Sequence, residues 1–311
     1  MHMTDHSNAR FLLVTICVCT YKRPHLRECL ESLAKQNLPG NIDVNIVVTD
    51  NCPEHSAKGI VDTFSHAYRI DVDYQPFSAR NLSRVRNHSL SAATGEFIAL
   101  IDDDQVASSD WLKQLIDCSN HYSADVVIGP VFNTYSATCP SWIAEADLMA
   151  RLAPTTGKKL KTGHAGNALI RRSTLEKSHI VFDERLGGSG GEDTDFFYRL
   201  HKQGAIIIGC QEAIAYEVID PSRENWQYLL HENKRTGQVF SRAIWPLLST
   251  NQRIIAIASL LAKVVIFGLG FILTYPFGLR FYALWQLLCI RNIEKIRYLV
   301  KKDQTISPYC R

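Results

Sequence analysis

Short runs of apolar, β-branched residues alternate with amphipathic segments through the first half of the sequence, and this alternation restricts the fold more than any other feature. The first run, Phe11–Thr20, suits a strand buried on both faces, and a helical pattern of leucines follows from His25 to about Pro39. A second buried run, Val44–Asn51, comes next. This order of strand, helix and strand predicts a right-handed crossover and a parallel sheet.

The same alternation continues as far as Phe132 and then weakens. Ligands bind beyond the carboxyl ends of the strands in such sheets, so we expect Thr20, Asp50 and Asp102 to converge on one edge. The sequence thus predicts an α/β fold, a Rossmann-like and mostly parallel sheet flanked by helices. The further predicted helices are Ser56–His66, Ser83–Ala93 and Ser109–Ser119, and the further predicted strands are Ile70–Gln75, Glu96–Asp104 and Ala124–Phe132.

Composition excludes several classes of protein. The 311 residues, 46% of them hydrophobic, suffice for a large core, and a formal net charge of +3 does not indicate a nucleic-acid partner. Nine scattered cysteines, several inside apolar runs, predict free thiols rather than disulfides or a zinc site. The polar leader, residues 1–10, lacks a signal-like pattern, so we expect the catalytic part to face the cytoplasm. Neither a dinucleotide-binding nor a P-loop motif is present.

Three consecutive carboxylates, Asp102, Asp103 and Asp104, end the predicted fourth strand. Because side chains alternate along an extended backbone, the first and the third leave it on the same side and could share a divalent cation. Such hard oxygen ligands suit Mg²⁺ or Mn²⁺, which combine few protein carboxylates with phosphate oxygens of a substrate. The alternative is a solvated acidic turn that stabilises the helix beginning near Asp110.

A glycine-rich loop leads into a second acidic stretch. Four glycines between Gly187 and Gly191 permit positive φ angles and close backbone approach, and Glu192, Asp193 and Asp195 follow at the start of an apparent helix. A carboxylate held there could act as a general base. Alternatively, these acids only stabilise the helix N-terminus, by about 0.3 to 1 kcal/mol each.

The C-terminal region is almost entirely apolar. Ile254–Leu279 is interrupted only by Lys263 and is long enough to cross a hydrocarbon layer of roughly 30 Å. Phe281–Ile290 is shorter, and basic residues follow it. We therefore expect a catalytic region over residues 1–240 and, over 241–311, an apolar helical appendage that associates with a membrane as a shallow hairpin or in-plane helices. A buried pair of dimerisation helices is the alternative.

Four motifs together resemble the family 2 inverting glycosyltransferases of the GT-A fold, particularly bacterial members that assemble polysaccharides. They are VTICVCTYKRPHLRECLESLAKQ, VVTDN, ATGEFIALIDDD and GGSGGEDTDFFYRLHKQG, and the likeness covers about Val14 to Gly237. The resemblance implies transfer of a sugar, with inversion, from a nucleoside diphosphate sugar, with a UDP-sugar expected, to a hydroxyl of a lipid-linked or polysaccharide acceptor. A polyprenyl diphosphate acceptor would explain attachment to the cytoplasmic face of the plasma membrane, peripheral or monotopic.

The resemblance also implies roles for individual residues. The acidic run is similar to the family's metal-binding DxD element, and Asp193, supported by Glu192 and Asp195, is similar to its catalytic base. His164 and Asn167 fall in a segment similar to the one that lines the donor sugar and the acceptor. The implied metal ligands are Asp104 and Asp102; the residues expected to bind the nucleotide sugar are Thr20, Tyr21, Arg23, Asp50, Arg86, Asp102, Asp103 and Asn167.

Several of these assignments have alternatives. Asp50 could cap a turn rather than contact the base, and Arg86 could be a solvent-exposed helical arginine. Glu217 occupies the region where related folds carry a late metal-binding histidine, which leaves a third protein ligand open. Arg223 and Arg235, on a basic helix, could clamp the diphosphate or only face solvent. As whole-protein alternatives, a nucleotidyltransferase acting on a sugar phosphate would use a similar sheet, and a noncatalytic membrane scaffold would keep the fold alone.

Overall fold

The computed structural model describes residues 11–150 and 152–300 and contains most of the elements that the sequence predicts. Its strands are β1 (Leu12–Thr20), β2 (Ile42–Asp50), β3 (Val72–Pro76), β4 (Phe97–Asp102), β5 (Gln105–Ala107), β6 (Val126–Ile128), β7 (Val131–Thr134), β8 (Lys159–Leu160), β9 (Asn167–Arg171), β10 (Ile207–Gly209) and β11 (Ala215–Val218). Its helices are α1 (Leu26–Ala34), α2 (Lys58–Tyr68), α3 (Leu82–Ala92), α4 (Trp111–His121), α5 (Ser141–Ala144), α6 (Arg172–Ser178), α7 (Glu192–Lys202), α8 (Trp226–Ile244), α9 (Thr250–Leu273) and α10 (Leu279–Val300).

The main sheet has eight strands in the order β3-β2-β1-β4-β9-β6-β10-β8. The pairs β2–β3, β1–β2 and β1–β4 are parallel, which confirms the predicted crossovers, whereas β9 runs antiparallel to both β4 and β6. The buried residues of β1 divide between the two faces. Val14 and Ile16 pack towards α1 and α4, and Cys17 joins the cluster that includes Phe196 of α7. The continuous apolar run of β1 therefore serves two cores.

A second sheet, in the order β5-β11-β7, begins directly after the acidic run. The predicted strand Ala124–Phe132 is divided between the sheets, with β6 in the large one and β7 in the small one, which corrects that prediction. The break is at Gly129 and Pro130. Proline has no backbone N–H for a ladder, and a Cβ on Gly129 would lie 2.4 Å from the Ala213 carbonyl oxygen, so the backbones cross too closely for a side chain.

Asn167, predicted to bind the nucleotide sugar, lies inside the core at the start of β9. The residue is fully buried, and its Oδ1 accepts a hydrogen bond of 2.8 Å from Trp111 Nε1. Its Nδ2 donates to the carbonyl oxygens of Pro130 and Ala213, at 2.8 and 2.7 Å. The assignment as a binding residue is therefore corrected to a structural one. Its amide joins α4, the break between β6 and β7, and the segment before β11, and each lost bond would leave a buried polar group at a cost of about 1 to 3 kcal/mol.

The C-terminal helices pack against the α/β unit through α8. Helix α8 crosses the predicted boundary at 240/241 without a break, so the division into two regions stays a prediction. Arg291 of α10 donates to Asn233 Oδ1 at 2.6 and 2.9 Å, and Gln238 Nε2 donates to Glu294 at 2.7 Å. Gly237 permits this approach, because a Cβ there would lie 2.4 Å from the Arg291 carbonyl oxygen.

Helix α9 lies on the outer side of α10 and exposes an apolar surface. Phe267 and Phe271 face α10, with ring centroids 5.7 Å from Trp285 and 4.5 Å from Tyr282. Of the described helices, α9 is the one long and apolar enough to cross a membrane, and its hydrophobic window is 0% buried. The large apolar residues most exposed along α9 are Ile254, Ile255, Ile257, Leu261, Val265, Ile266, Leu269, Ile272 and Leu273.

Candidate active site

The acidic run lies where β4 passes into β5. Asp102 is the last residue of β4, and Asp103 and Asp104 form a turn before β5 enters the second sheet. The prediction that the backbone stays extended through all three acids, with side chains on alternate sides, is therefore wrong, since the strand ends at Asp102. The carboxyl end of β1, carrying Thr20, pairs with this part of β4 as predicted for a parallel sheet.

Arg86 of α3 connects the two acidic motifs. Its Nη1 lies 2.6 Å from Glu192 Oε1, at the start of α7, and its Nη2 lies 3.5 Å from Asp102 Oδ1. The residue is only 8% exposed, so it is not the solvent-facing arginine of the alternative interpretation. Burial lowers the pKa of Arg86, but Glu192, Asp102 and Asp193 together outweigh this effect and raise the pKa above its ordinary value. The guanidinium is therefore a permanent cation between the carboxylates.

A second arginine neutralises the far side of the acidic turn. Arg23, in the loop after β1, places Nη2 3.6 Å from Asp104 Oδ2. Arg223 pairs with Glu217 at 3.3 Å and also acts electrostatically on Asp104. Glu217 of β11 pairs in register with Gln105 of β5, next to the acidic turn. The region around Glu217, where the sequence left a third protein ligand open, thus carries an ion pair beside the candidate metal ligands.

Asp103 is held in a buried position at the inner side of the turn. Burial, followed by the charge of Asp104, raises the pKa of Asp103 to about 7, although Thr20 and Arg23 lower it. Thr20 is 3% exposed, whereas Tyr21 is 36% exposed at the mouth of the site. Thr20, Arg23 and the acidic run are therefore brought together, and Tyr21 lies at the rim.

Asp50 closes the loop that follows β2. Its Oδ1 accepts from the backbone N–H of Cys52 at 2.9 Å, and its Oδ2 accepts from the Ala57 N–H at 2.8 Å and from the Tyr74 hydroxyl at 2.9 Å. The residue is fully buried. The structure therefore gives Asp50 the turn-capping role, and the predicted contact with the base is corrected because no carboxylate surface is left for a ligand.

Two residues that the sequence analysis missed lie against Asp102. A Cβ on Gly166 would approach Asp102 Oδ2 to 2.7 Å and Gln105 Nε2 to 2.8 Å, so a larger residue there would displace these two side chains. Gln105 is fully buried, and its Nε2 has no hydrogen-bond partner among the described residues. Gly166, in the segment TGHAGN, could have been recognised from the sequence as a position of close approach. No sequence pattern indicated Gln105, because its position depends on β5 joining the second sheet.

Asp102 and Asp104 fit a divalent cation. Their side chains are 36% and 12% exposed, so ligands can reach them from one side. Burial, followed by the neighbouring charge of Asp102, raises the pKa of Asp104, although Arg23 and Arg223 lower it. Within residues 11–150 and 152–300, no three His, Cys, Asp or Glu side chains are grouped as metal ligands. The two carboxylates would provide part of the coordination shell of a bound ion, and donor phosphate oxygens would supply the rest.

The three acids at the start of α7 differ in their surroundings. Glu192 is buried and paired with Arg86, and burial raises the pKa of its carboxyl group. Asp195 forms an ion pair with Arg199 at 2.6 Å within the same helix. Asp193 is half-buried, and its Oδ1 accepts the Thr194 N–H at 2.7 Å. Of the three, Asp193 is the one without an ion pair, and its carboxylate is accessible to a substrate.

Arginines of α8 hold the glycine-rich loop in place. Arg235 Nη1 donates to the Ser189 carbonyl oxygen at 3.1 Å, and Arg242 Nη1 donates to Ser189 Oγ at 2.6 Å. Gly190 and Gly191 both have φ of +90°, which favours glycine immediately before α7. Arg235 thus orients the loop that positions Asp193, a contact that differs from the predicted diphosphate clamp.

Comparison with known proteins agrees with this geometry. The fold and the acidic cleft define a glycosyltransferase of the GT-A type, and residues 15–178 match the model for glycosyl transferase family 2. The chain belongs to glycosyl transferase family 2. It is therefore a transferase that uses a nucleotide-sugar donor, and the nucleotidyltransferase and scaffold alternatives are set aside.

Individual relatives support the same family. The chain is 36% identical over 233 residues to the succinoglycan biosynthesis protein ExoM of Rhizobium meliloti, covering 75% of each chain. It is 29% identical to the uncharacterized glycosyltransferase EpsJ of Bacillus subtilis, covering 56% of this chain and 52% of EpsJ.

A solved structure supports the fold. The mannosyltransferase PcManGT from Pyrobaculum calidifontis, in complex with GDP-mannose and Mn²⁺, aligns with a TM-score of 0.65 and 16% identity, covering 94% of this chain and 88% of PcManGT. At this identity the likeness establishes the fold alone.

We predict that Asp103→Asn flattens the dependence of stability on pH. The carboxyl pKa is raised from 3.8 to about 7 on folding, so the folded chain retains a proton that the unfolded chain loses. Stability from this source is complete at low pH and is lost as the pH rises through 7, by roughly 2 to 4 kcal/mol. The melting temperature, measured in chelator from about pH 5 to pH 8, should therefore fall less steeply with pH for the variant than for wild type. Asp43→Asn, at an exposed site, is the matched control and should follow wild type; equal slopes for all three proteins would contradict the assignment.

Proposed function

We propose that this protein is a metal-dependent inverting glycosyltransferase that moves a sugar from a UDP-sugar to a hydroxyl of a lipid-linked or polysaccharide acceptor. The observation that carries this proposal is the Arg86 bridge, in which one buried guanidinium contacts both Asp102 and Glu192. The carboxylates suited to a donor diphosphate and those suited to an acceptor hydroxyl therefore border one cleft. Inversion requires such a cleft, because the acceptor oxygen attacks opposite the leaving group.

The residues on the two sides of the cleft have different roles in the proposed reaction. Asp193 accepts the proton of the acceptor hydroxyl as its oxygen attacks the anomeric carbon, and the bond from that carbon to the diphosphate breaks. Glu192, held by Arg86, fixes the start of α7 and so the position of Asp193. A bound Mg²⁺ or Mn²⁺ would stabilise the charge that develops on the departing diphosphate. Asp102 and Asp104 would hold that ion, while Arg23 and Arg86 limit the repulsion among the acids.

The names of relatives support the proposed donor and acceptor. TarS of Staphylococcus aureus, named a poly(ribitol-phosphate) β-N-acetylglucosaminyltransferase, is 27% identical over 183 residues, covering 55% of this chain and 30% of TarS. The structure of TarS 1-349 has been solved in complex with UDP-GlcNAc. This relative favours uridine over the guanosine of PcManGT. ExoM is named for succinoglycan biosynthesis, which favours an acceptor that is a growing polysaccharide or its lipid-linked precursor.

We propose peripheral or monotopic attachment to the cytoplasmic face of the plasma membrane, and the exposed apolar face of α9 supports the membrane contact. Helix α10 contacts α9 on one side, through Gly270 and Trp285, and α8 on the other, through Arg291 and Asn233. Since a helix is about 10 Å wide, α9 lies one helix away from the catalytic unit along its length. This arrangement favours an in-plane helix over a crossing, because a crossing would carry α8 into the hydrocarbon. Lys301 and Lys302 of the predicted basic tail lie outside the described residues.

We predict that Asp193→Asn abolishes transfer while preserving donor binding. The amide keeps an oxygen for the Thr194 N–H but cannot accept the acceptor proton, so kcat should fall by about 10² to 10⁴. The donor Kd, measured by calorimetry, should stay within about threefold. Asp195→Asn is the matched control, since this acid is paired with Arg199, and it should retain most of the activity. Wild-type rates in Asp193→Asn would exclude it as the base.

We predict that Asp104→Ala removes the part of donor binding that depends on the cation. With Mn²⁺ in excess, the Kd for a UDP-sugar should rise by at least about tenfold, and in chelator the variant and wild type should bind alike. Thermal stabilisation by UDP- and GDP-sugars measures both the effect and the base preference. Asp110→Ala, an exposed acid in the same segment, is the control. Equal Mn²⁺ dependence in Asp104→Ala and wild type would refute the metal role.

We predict that acidic substitutions on the exposed face of α9 release the protein from membranes. Leu269→Glu and Ile266→Glu replace side chains that are 54% and 56% exposed, and each should weaken vesicle binding by about tenfold or more. Asn251→Glu, on the same helix at a polar exposed site, adds the same charge and should have little effect. Cosedimentation with phospholipid vesicles measures binding, and unchanged binding in both apolar-site variants would contradict membrane association through α9.

A further inference from the structure

A cavity of about 320 Å³ lies between the catalytic unit and the C-terminal helices. It is formed by α5, the first turn of α8 and the first turns of α10, and its walls are aromatic and aliphatic apart from one amide. Its size falls in the range of sites that take small molecules, about 300 to 1,000 Å³. The lining residues are Trp142, Trp226, Leu279, Tyr282, Ala283 and Gln286.

The walls of this cavity are packed against one another. The rings of Trp142 and Trp226 are tilted by 55° relative to each other, with centroids 6.1 Å apart. Beneath them, a buried apolar cluster joins Ile143 of α5, Leu229 of α8 and Leu287 of α10. At the rim, Arg280 forms an ion pair of 3.1 Å with Glu145, which holds the start of α10 against α5. The space is therefore framed by packed side chains from three separate helices.

The cavity adjoins the cleft that holds the acidic residues. Trp226 comes three residues after Arg223, so the two backbones are within about 11 Å of each other. Arg223 acts on Asp104 and pairs with Glu217 of β11. The two strands that lead towards the tryptophans, β7 and β11, are neighbours in the sheet that begins after the acidic turn. A molecule that extends from the cleft can thus reach the tryptophan pair without leaving the protein surface.

The opposite side of the cavity opens towards the apolar surface of the helical hairpin. Leu279 lines the cavity and is 65% exposed. The turn before it carries Tyr275 and Phe277, at 74% and 71% exposure, and Leu273 ends α9 at 67%. Exposed apolar residues therefore extend along the chain from the end of α9 to the cavity rim, and the ring of Tyr275 lies 5.6 Å from that of Tyr282 in the cavity lining. A hydrocarbon chain could pass from a bilayer into the cavity without entering water. An acceptor sugar without a lipid would not need such a path.

We propose that this cavity binds the hydrocarbon chain of the lipid-linked acceptor, next to the diphosphate that carries the acceptor sugar. The proposal rests on the proposed function, since it needs a lipid-linked acceptor. The cavity takes the first units of the chain and thereby directs the head of the acceptor along Arg223 towards Asp193. Bulk phospholipid is the competing occupant, and the test separates the two.

The test is photolabelling of the full-length protein in phosphatidylcholine vesicles. Farnesyl phosphate with a photoactivatable group near its phosphate end is the isoprenyl probe, and phosphatidylcholine with the same group on an acyl chain represents bulk lipid. Labelled residues are located by mass spectrometry. The isoprenyl probe should label Trp142, Trp226 or Tyr282, and unlabelled farnesyl phosphate should compete whereas inorganic phosphate should not. Transfer from a nucleotide sugar to a prenyl diphosphate-linked sugar is measured in parallel.

Matched variants assign the label to the cavity. Leu279→Glu places a charge at the cavity rim, and Leu273→Glu places the same charge on α9 at similar exposure, outside the cavity lining. Labelling is normalised to the amount of vesicle-bound protein, because a charge on this apolar surface also weakens membrane binding. Labelling should fall by at least about tenfold in the first and change little in the second. Ala283→Leu, which fills the space from within, should reduce labelling in the same way. Because Leu279 is exposed, its variant should fold normally even if the buried Ala283 variant does not.

The outcomes separate the cavity from the reaction. Label outside the cavity, equal labelling by the phosphatidylcholine probe, or wild-type labelling in Leu279→Glu would each overturn the proposal. Cavity labelling that is specific for the isoprenyl probe and lost in Leu279→Glu would support it. Failure of wild type to transfer sugar to any lipid-linked acceptor would overturn the proposed acceptor instead, and that result is read from the transfer assay independently of the label.

Discussion

The ion pairs of Arg86 are the interaction on which the rest of the site depends. Three carboxylates from two motifs, at the end of β4 and the start of α7, lie around one buried guanidinium. Without that cation the two acidic segments would repel each other in a poorly solvated cleft. Removing one partner of a buried pair costs about 3 to 5 kcal/mol, because the remaining charge stays buried. The guanidinium thus fixes the distance between the acidic turn after β4 and the start of α7.

The change from one sheet to another gives the acidic turn its shape. Antiparallel β9 is inserted beside β4, and the residue before it, Gly166, leaves room for the Asp102 carboxylate. Beyond the turn, β5 pairs with β11 rather than continuing the large sheet. Asp103 therefore points into the protein, where burial raises its pKa, while Asp102 and Asp104 remain reachable. Three adjacent acids acquire different environments because the backbone turns among them.

The sequence predicted the parts that follow from local pattern. Hydrophobic period and crossover handedness were sufficient for β1 to β4, and the placement of acids at strand ends located the cleft. Residues whose role depends on distant partners could not be assigned in this way. Asn167 and Asp50 are polar residues near a predicted site, yet the side chain of Asn167 is hydrogen-bonded across the core and that of Asp50 within the loop after β2. The burial of Arg86 depends on Glu192, which is 106 positions away along the chain.

The arrangement of the C-terminal helices connects the chemistry to its surroundings. Parallel packing of α10 on α8 places α9 outermost, and α8 begins directly after the segment that contains Arg223. The same helix carries Arg235 and Arg242, which hold the glycine-rich loop before Asp193. Any displacement of α8 by contact of the hairpin with a bilayer would therefore reach both sides of the cleft. Helix α8 thus fixes the start of α7 relative to the apolar surface of α9, because it contacts the glycine-rich loop on one side and α10 on the other.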